Sequence, residues 1–344
     1  MDLYQSLLVF AVAAPGVVFT TLALLWLAGG EPREWFIARI TALTFATSMA
    51  AVAAIGWKIW AGSGAIAVSF GNWFTAGEYH FPLVLMVDRL SFPFFAMTVG
   101  LAGLIGQFSV TYLHRERGFL RFFLLLHLFT FGSLVAFSAG SFDLLVAGWE
   151  IVGITSVLLI AFFQQRPAPV ENALRVFGIY RACDIGLLVG VFAMHHWAGT
   201  ASFAFRFPSL TPAQSTVVCL LLLLAAAGKA AQVPFSGWLP RAMEGPTPSS
   251  AIFYGAISIH AGAYLLLRVQ PMVAESRLAT FLVIATGLAT AIHGTMAGRA
   301  KGEPELLPRF ENDYPLGWGW PVKTSQSLWS EPVGAGDLAQ PVRA

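Results

Sequence analysis

The sequence predicts an all-α polytopic membrane protein, and three observations carry that prediction. Of its 344 residues, 57% are hydrophobic and only 11% charged, against about 25% charge in a soluble domain. The apolar residues collect into runs of about 20, the length that crosses a bilayer as a helix. Most charged residues stand near the ends of those runs.

The first run, 5–28, is too long for a signal peptide and lacks a basic leader, so it reads as the first span. A second follows at 37–60, with Lys58 at its end as a snorkelling anchor beside Trp57 and Trp60. Residues 61–88 break the pattern. They are polar and rich in glycine and aromatics (Gly62, Gly64, Gly71, Trp73, Tyr79, Phe81), which predicts an interfacial or short hairpin segment. Seven further spans are expected at 90–112, 119–140, 142–163, 172–194, 214–233, 248–270 and 277–298, about nine in all. Residues 1–88 thus form an N-terminal unit of helices and interfacial segment, and 89–300 the core. The stretch 301–344 carries Pro304, Pro308, Pro315, Pro321, Pro332 and Pro341 and no apolar run that could span, so it reads as a disordered or loosely surface-bound tail.

Lys and Arg near the span ends set orientation. If spans alternate, one face holds Arg33, Arg39, Arg115, Arg117, Arg121, Arg166, Arg175, Arg241, Arg299 and Lys301, and the other Lys58, Arg89, Arg206, Arg268 and Arg277. The richer face is expected in the cytoplasm of a cell inner membrane, with the N-terminus outside. A net charge of +2 with no basic patch argues against nucleic acid as a partner; membrane lipid is the expected surrounding. Cys183 and Cys219 lie in apolar runs and imply neither a disulfide nor a zinc site. There is no phosphate loop, dinucleotide fingerprint, cysteine cluster or haem motif, so no cofactor or metal is expected and no catalytic site of the chain's own. Energy for any transport must come from an ion gradient or a partner.

Charges inside the spans are the exceptions, and such residues are functional candidates by default. Glu150, in Gly148-Trp149-Glu150, and Lys229, in the run Leu221–Val233, stand out. Apolar surroundings disfavour the charged form of both side-chain types and bring their proton affinities toward neutrality. A carboxyl and an amine paired out of water make a two-state electrostatic element that can take up and release a proton. Arg181 and Asp184 share a helix face at i, i+3 and are expected to form an ion pair that locks the bundle or gates it. His127, His260 and His293 fall within spans, where neutral imidazole can relay protons or simply pack. Residues 234–248 hold Pro234, Pro240, Pro246 and Pro248, with Glu244 among them, and cannot continue one regular helix. Interrupted helices often line ion sites in transporters; a loop with a re-entrant turn is the plainer reading.

These motifs also carry a resemblance. Gly148-Trp149-Glu150-Ile151-Val152-Gly153 with Gln165-Arg166-Pro167, Tyr180-Arg181-Ala182-Cys183-Asp184-Ile185-Gly186, and Ala231-Gln232-Val233-Pro234 with Trp238-Leu239-Pro240 through Ala251 resemble the antiporter-like subunits of NADH–quinone oxidoreductase (subunit L, chain 5) and Mrp complexes. The likeness spans roughly residues 85–300 and implies that Glu150 and Lys229 are the family's Glu–Lys pair for proton translocation. The wording Phe235-Ser236-Gly237-Trp238 and Phe253 to Gly262 is similar to the inorganic-carbon transporter branch, DabB. That branch implies a zinc-binding DabA-like partner that hydrates CO2, driven by the proton gradient. The family continues with further spans after Gly298-Arg299-Ala300, which makes a C-terminally truncated member, or an inactive remnant, a further expectation.

Overall fold

The computed structural model describes residues 1–30, 32–76, 79–203 and 209–302. The expected disordered tail lies outside the described residues, apart from Lys301 and Gly302 at the end of the last helix. The chain divides into two compact units, Met1–Thr286 and Gly287–Ala344.

The first unit is a helical bundle with one hairpin. Its long helices are α1 (Leu3–Leu27), α2 (Glu34–Lys58), α3 (Ser91–Tyr112), α4 (Phe119–Phe137), α5 (Phe142–Ile160), α6 (Pro167–Ala198) and α7 (Pro212–Lys229). Local chemistry sets several of their ends. Asp2 and Gln5 form a capping box at the start of α1, as do Thr211 and Gln214 at α7, where Pro212 takes the first turn. Ser141 caps α5, and Gly199, at φ +69°, ends α6 in the left-handed region.

Strands β1 (Ala65–Ala76) and β2 (Tyr79–Asp88) pair antiparallel over the segment expected to be interfacial, with register shifts between Ser69 and Asn72 and between Asn72 and Phe74. The hairpin rests on the turn between α4 and α5: the Met86 N–H donates to the Ser138 carbonyl at 2.6 Å and the Gly140 N–H to the Val84 carbonyl at 2.8 Å.

The expected span at 248–270 is not one regular helix. Pro246 and Pro248 begin it as α8 (Thr247–Ser249), a π-helical stretch follows over Ser250–Ile257, and α9 (Ser258–Arg268) completes it. After α10 (Gln270–Ala274) comes α11 (Arg277–Gly302); the described residues of the second unit, 287–302, are helical. Among the described residues, eight helices are long and apolar enough to cross a membrane.

In the first unit α4 is the most enclosed helix, with Phe122, Phe123, Leu126 and Phe129 fully buried. It approaches α5 at backbone contact. A Cβ on Gly148 would stand 2.5 Å from the Ala136 amide nitrogen. Around this core the outer faces carry Leu43, Leu104, Phe108, Ile185 and Phe192, all exposed. An apolar exterior over a packed interior suits lipid rather than water as solvent.

Candidate proton-translocation site

Helices α5, α6 and α7 bring the charged residues together. The α6–α7 pair is antiparallel, with Gly190 against Leu221 and Leu222 and Gly228 against Cys183. Those contacts put Lys229, the last residue of α7, level with the middle of α6. Helix α7 therefore stops partway along its neighbour. Residues 230–246 fill the remaining depth with two 3₁₀ turns, Ser236–Trp238 and Pro240–Ala242, both packed on α6. This is the physical form of the expected broken helix at Pro234, Pro240, Pro246 and Pro248.

Several backbone groups at the break find partners within the protein. The Ala230 and Gln232 N–H groups donate to the Ala226 and Ala227 carbonyls at 2.8 and 2.9 Å. Ala231 adopts φ +51°, and the Trp238 indole N–H donates to the Gly228 carbonyl at 2.8 Å. Glu244 accepts from the Asn172 amide on α6 at 3.1 Å, which anchors the segment from its far side.

Lys229 is 1% exposed. Its ammonium donates to the Trp149 carbonyl at 3.3 Å and lies over the rings of Tyr180 (4.4 Å) and Trp149 (4.9 Å). The carbonyl end of α7 and the two ring faces both favour the cation. Gly153 makes room for it: a Cβ there would be 2.9 Å from the Lys229 Nζ and 3.4 Å from the Arg181 Nη2.

The expected Glu150–Lys229 ion pair is not formed, which corrects the sequence reading. Arg181 takes both carboxylates instead. Its Nη1 bonds Glu150, and its Nη2 bonds the Asp184 Oδ2 at 2.9 Å. The remaining Asp184 oxygen accepts the Trp149 indole N–H at 2.6 Å. A planar guanidinium fork can hold two carboxylates at once, which a point-like ammonium does less well. Among the described residues no carboxylate lies within ion-pair distance of Lys229. Glu150 is also less enclosed than expected, with 28% of its side chain exposed, whereas Asp184 is 3% exposed. The result is a cluster of two anions and two cations in which Arg181 is the hub.

His127 and His260 do not join it directly. His127 is buried between α4 and α2, with Nε2 at 3.1 Å from the Thr41 hydroxyl and its ring stacked on Phe45. His260 turns its Nδ1 to the Ala256 carbonyl of the preceding π-helical stretch and faces the Phe94 ring. His293 belongs to α11 in the second unit.

The whole cluster falls inside a segment, residues 139–302, that matches the model of the NADH:quinone oxidoreductase/Mrp antiporter transmembrane region, and residues 73–123 match the N-terminal region of NADH-ubiquinone oxidoreductase (complex I) chain 5. The chain belongs to the NADH:quinone oxidoreductase/Mrp antiporter family. It is 38% identical over 235 residues to NADH-quinone oxidoreductase subunit L of Mycobacterium tuberculosis (strain CDC 1551 / Oshkosh), across 67% of this chain and 37% of that protein. Identity to subunit L of Neisseria meningitidis (serogroup A / serotype 4A, strain DSM 15465 / Z2491) is 32% over 263 residues, across 72% of this chain and 39% of that one. Among solved structures, the Mrp complex from Dietzia sp. DQ12-45-1b superimposes with a TM-score of 0.69 at 27% identity, over 83% of this chain and 30% of that one. The chain thus spans under two fifths of the length of these relatives.

Within this member of the antiporter family, several site residues escape sequence reasoning. Trp149 and Tyr180 look like core aromatics until their rings and the Trp149 carbonyl are seen around the Lys229 ammonium. A second pair, the Asp143 carboxylate with the His195 Nε2 at 2.9 Å, is buried between α5 and α6. A third joins Arg268 to both oxygens of Asp88, at 2.6 and 3.0 Å, tying α9 to the end of the hairpin. Their signals were weak because each partner sits at a helix or strand end, where a charge in sequence reads as solvated.

Proposed function

We propose that this chain carries one proton half-path through a membrane as the antiporter-like subunit of a complex related to NADH–quinone oxidoreductase or Mrp. Lys229 is the group that gains and loses the proton, and Glu150 is its exchange partner. The observation that supports this most is the position of Lys229. It is an enclosed ammonium at the end of a helix that stops mid-bundle, held by a carbonyl and two rings rather than by a carboxylate.

Arg181 supplies the switch. While it holds Glu150 and Asp184, Lys229 keeps a carbonyl and two ring faces but no carboxylate partner among the described residues. When Arg181 releases Glu150, that carboxylate can turn to Lys229 and stabilise the ammonium. Both cations border Gly153, so the exchange needs side-chain rotation and no helix movement. Alternation between the two pairings, coupled to a change elsewhere in the complex, moves a proton on and off Lys229.

The test is proton flux by the full chain, purified with its membrane partners, in dye-loaded proteoliposomes. Glu150→Gln keeps the shape and removes the exchangeable proton, so flux falls about 100-fold, as for loss of a general acid–base group, with the complex intact. Undiminished flux in that variant overturns the reading.

A finer reading has the gradient driving CO2 hydration by a zinc-binding DabA-like partner. It is supported by the wording of Phe235-Ser236-Gly237-Trp238 and Phe253 to Gly262. The names of the relatives favour the respiratory or antiporter alternative. Co-purification decides between them: flavin and iron–sulfur subunits favour the respiratory complex, further antiporter subunits favour Mrp, and a large zinc protein favours inorganic-carbon uptake. Localisation in a bacterial inner membrane with the N-terminus outside belongs to the same proposal.

A further inference from the structure

The geometry points to Asp143 and His195 as a proton relay that connects the hairpin end of the bundle to the Glu150–Arg181–Lys229 cluster. This inference rests on the proton-translocating reading and adds two carriers to it.

Four observations carry it. The pair is enclosed: the side chains are 7% (His195) and 2% (Asp143) exposed, and Nε2 is 2.9 and 3.0 Å from the two carboxylate oxygens. It stands on the same two helices as the cluster. Asp143 lies seven residues before Glu150 on α5, and His195 eleven residues after Asp184 on α6, so each shares its helix face with the cluster residue. Along α5 the separation is two turns, about 10 Å of rise, a gap that one or two waters and the side chains can bridge. On α6 the intervening positions of that face are Leu187 and Val191, both buried, which makes the gap an apolar constriction rather than an open channel. Lastly, the pair lies beside the buried turn between α4 and α5, on which the hairpin rests and which residues 199–203 cover. There the Phe142 N–H donates to the Ala201 carbonyl and the Phe203 N–H to the Gly140 carbonyl.

The neighbouring charges have their own partners. Arg268 pairs with Asp88 and stacks over Phe203, whose ring packs on Phe142, so one aromatic layer separates that ion pair from Asp143. Glu275 accepts from Ser215 at the start of α7, and the His196 ring stacks on Phe192. The proton step balances within the pair. A proton taken at the His195 Nδ1 gives imidazolium. The Nε2 proton then passes to the Asp143 carboxylate, leaving neutral imidazole and a carboxylic acid. Asp143 gives that proton inward, through water in the constriction, to Glu150.

A purely structural pair, an acid in the first turn of α5 and a histidine in the last turn of α6, is the competing account. Flux through the full chain with its membrane partners, in proteoliposomes, separates the two. His195→Gln can still bond Asp143 but cannot carry a proton, so flux drops about 100-fold while assembly and thermal stability hold. In His195→Ala, added imidazoles of graded basicity restore flux in proportion to their basicity, which cavity filling alone does not do. Wild-type flux in His195→Gln, or rescue independent of basicity, overturns the relay. Glu150→Gln run alongside separates the two levels. Loss of flux there with normal flux in His195→Gln removes the relay and leaves the Lys229 site standing. Normal flux in Glu150→Gln removes the parent reading and the relay with it.

Discussion

Arg181 holds the two carboxylates nearest the Lys229 site, Glu150 and Asp184. Replacing it with Lys keeps one charge but loses the fork that holds Glu150 and Asp184 together. Arg181→Lys is expected to reduce proton flux sharply, by about 100-fold as for loss of the general acid–base exchange, with Trp149 still bonded to Asp184. Tryptophan fluorescence of the assembled complex checks that the indole environment survives. Unchanged flux would remove Arg181 from the switch. The charged residues themselves were legible in the sequence because a span gives a carboxylate or an amine little reason to be there. Their pairing was not legible. The family resemblance suggested Glu150 with Lys229. Only the three-helix geometry reveals that the guanidinium reaches both acids while the ammonium turns to a carbonyl and two rings.

Elements contribute through close approach and through ends. The α4–α5 contact leaves no space at Gly148, whereas nothing lies within 4 Å of a Cβ at Gly178 on α6. Gly148→Val should cost roughly 3 kcal/mol or more through overpacking, and Gly178→Ala should stabilise by about 0.5–1 kcal/mol through helix propensity. Thermal unfolding in detergent reads both. Equal effects would mean that the helix contact is not the limiting feature. The helices α1 to α7 were legible from apolar runs, although the capping residues that set their ends were not singled out. The composite crossing of Thr247–Arg268 was not, because its apolar composition reads as one helix while the prolines at its start and the π-helical stretch inside it reshape the backbone.

Asp88, outside the spans, ties the hairpin to α9. Burial opposes its charge, but the hydrogen bonds and charge of Arg268, with help from Ser91, hold its carboxyl below the usual carboxylate range. A carboxyl depressed in the folded state stabilises the fold above its unfolded pKa of about 3.9, and that contribution disappears as pH falls through the folded value. Asp88→Asn should therefore lower stability by about 3 kcal/mol at neutral pH, as for breaking a largely buried pair, with the difference from wild type shrinking in acid below the ordinary carboxylate range. A difference that persists at low pH would place the effect in packing rather than in charge.

At the scale of the whole molecule, the ends of the bundle differ. One carries the hairpin and the turns after α4 and α6. At the other, Pro32, Arg117, Arg121 and Gln164 line a pocket of about 530 Å³ where the loops after α1, α3 and α5 meet. The arginine-rich loops share that second end, the sharing expected from alternating spans. A protease-cleavable tag ahead of Met1 should be cut by protease added to spheroplasts if the arginine-rich end faces the cytoplasm; protection there, with cleavage after lysis, would reverse the orientation. The proton account depends on Lys229 changing its protonation state within this frame. Lys229→Arg tests that most directly, because arginine keeps the positive charge but does not release its proton. In proteoliposomes holding the assembled complex, the account predicts flux indistinguishable from the passive leak. Flux at the wild-type rate, with the complex intact, would contradict it.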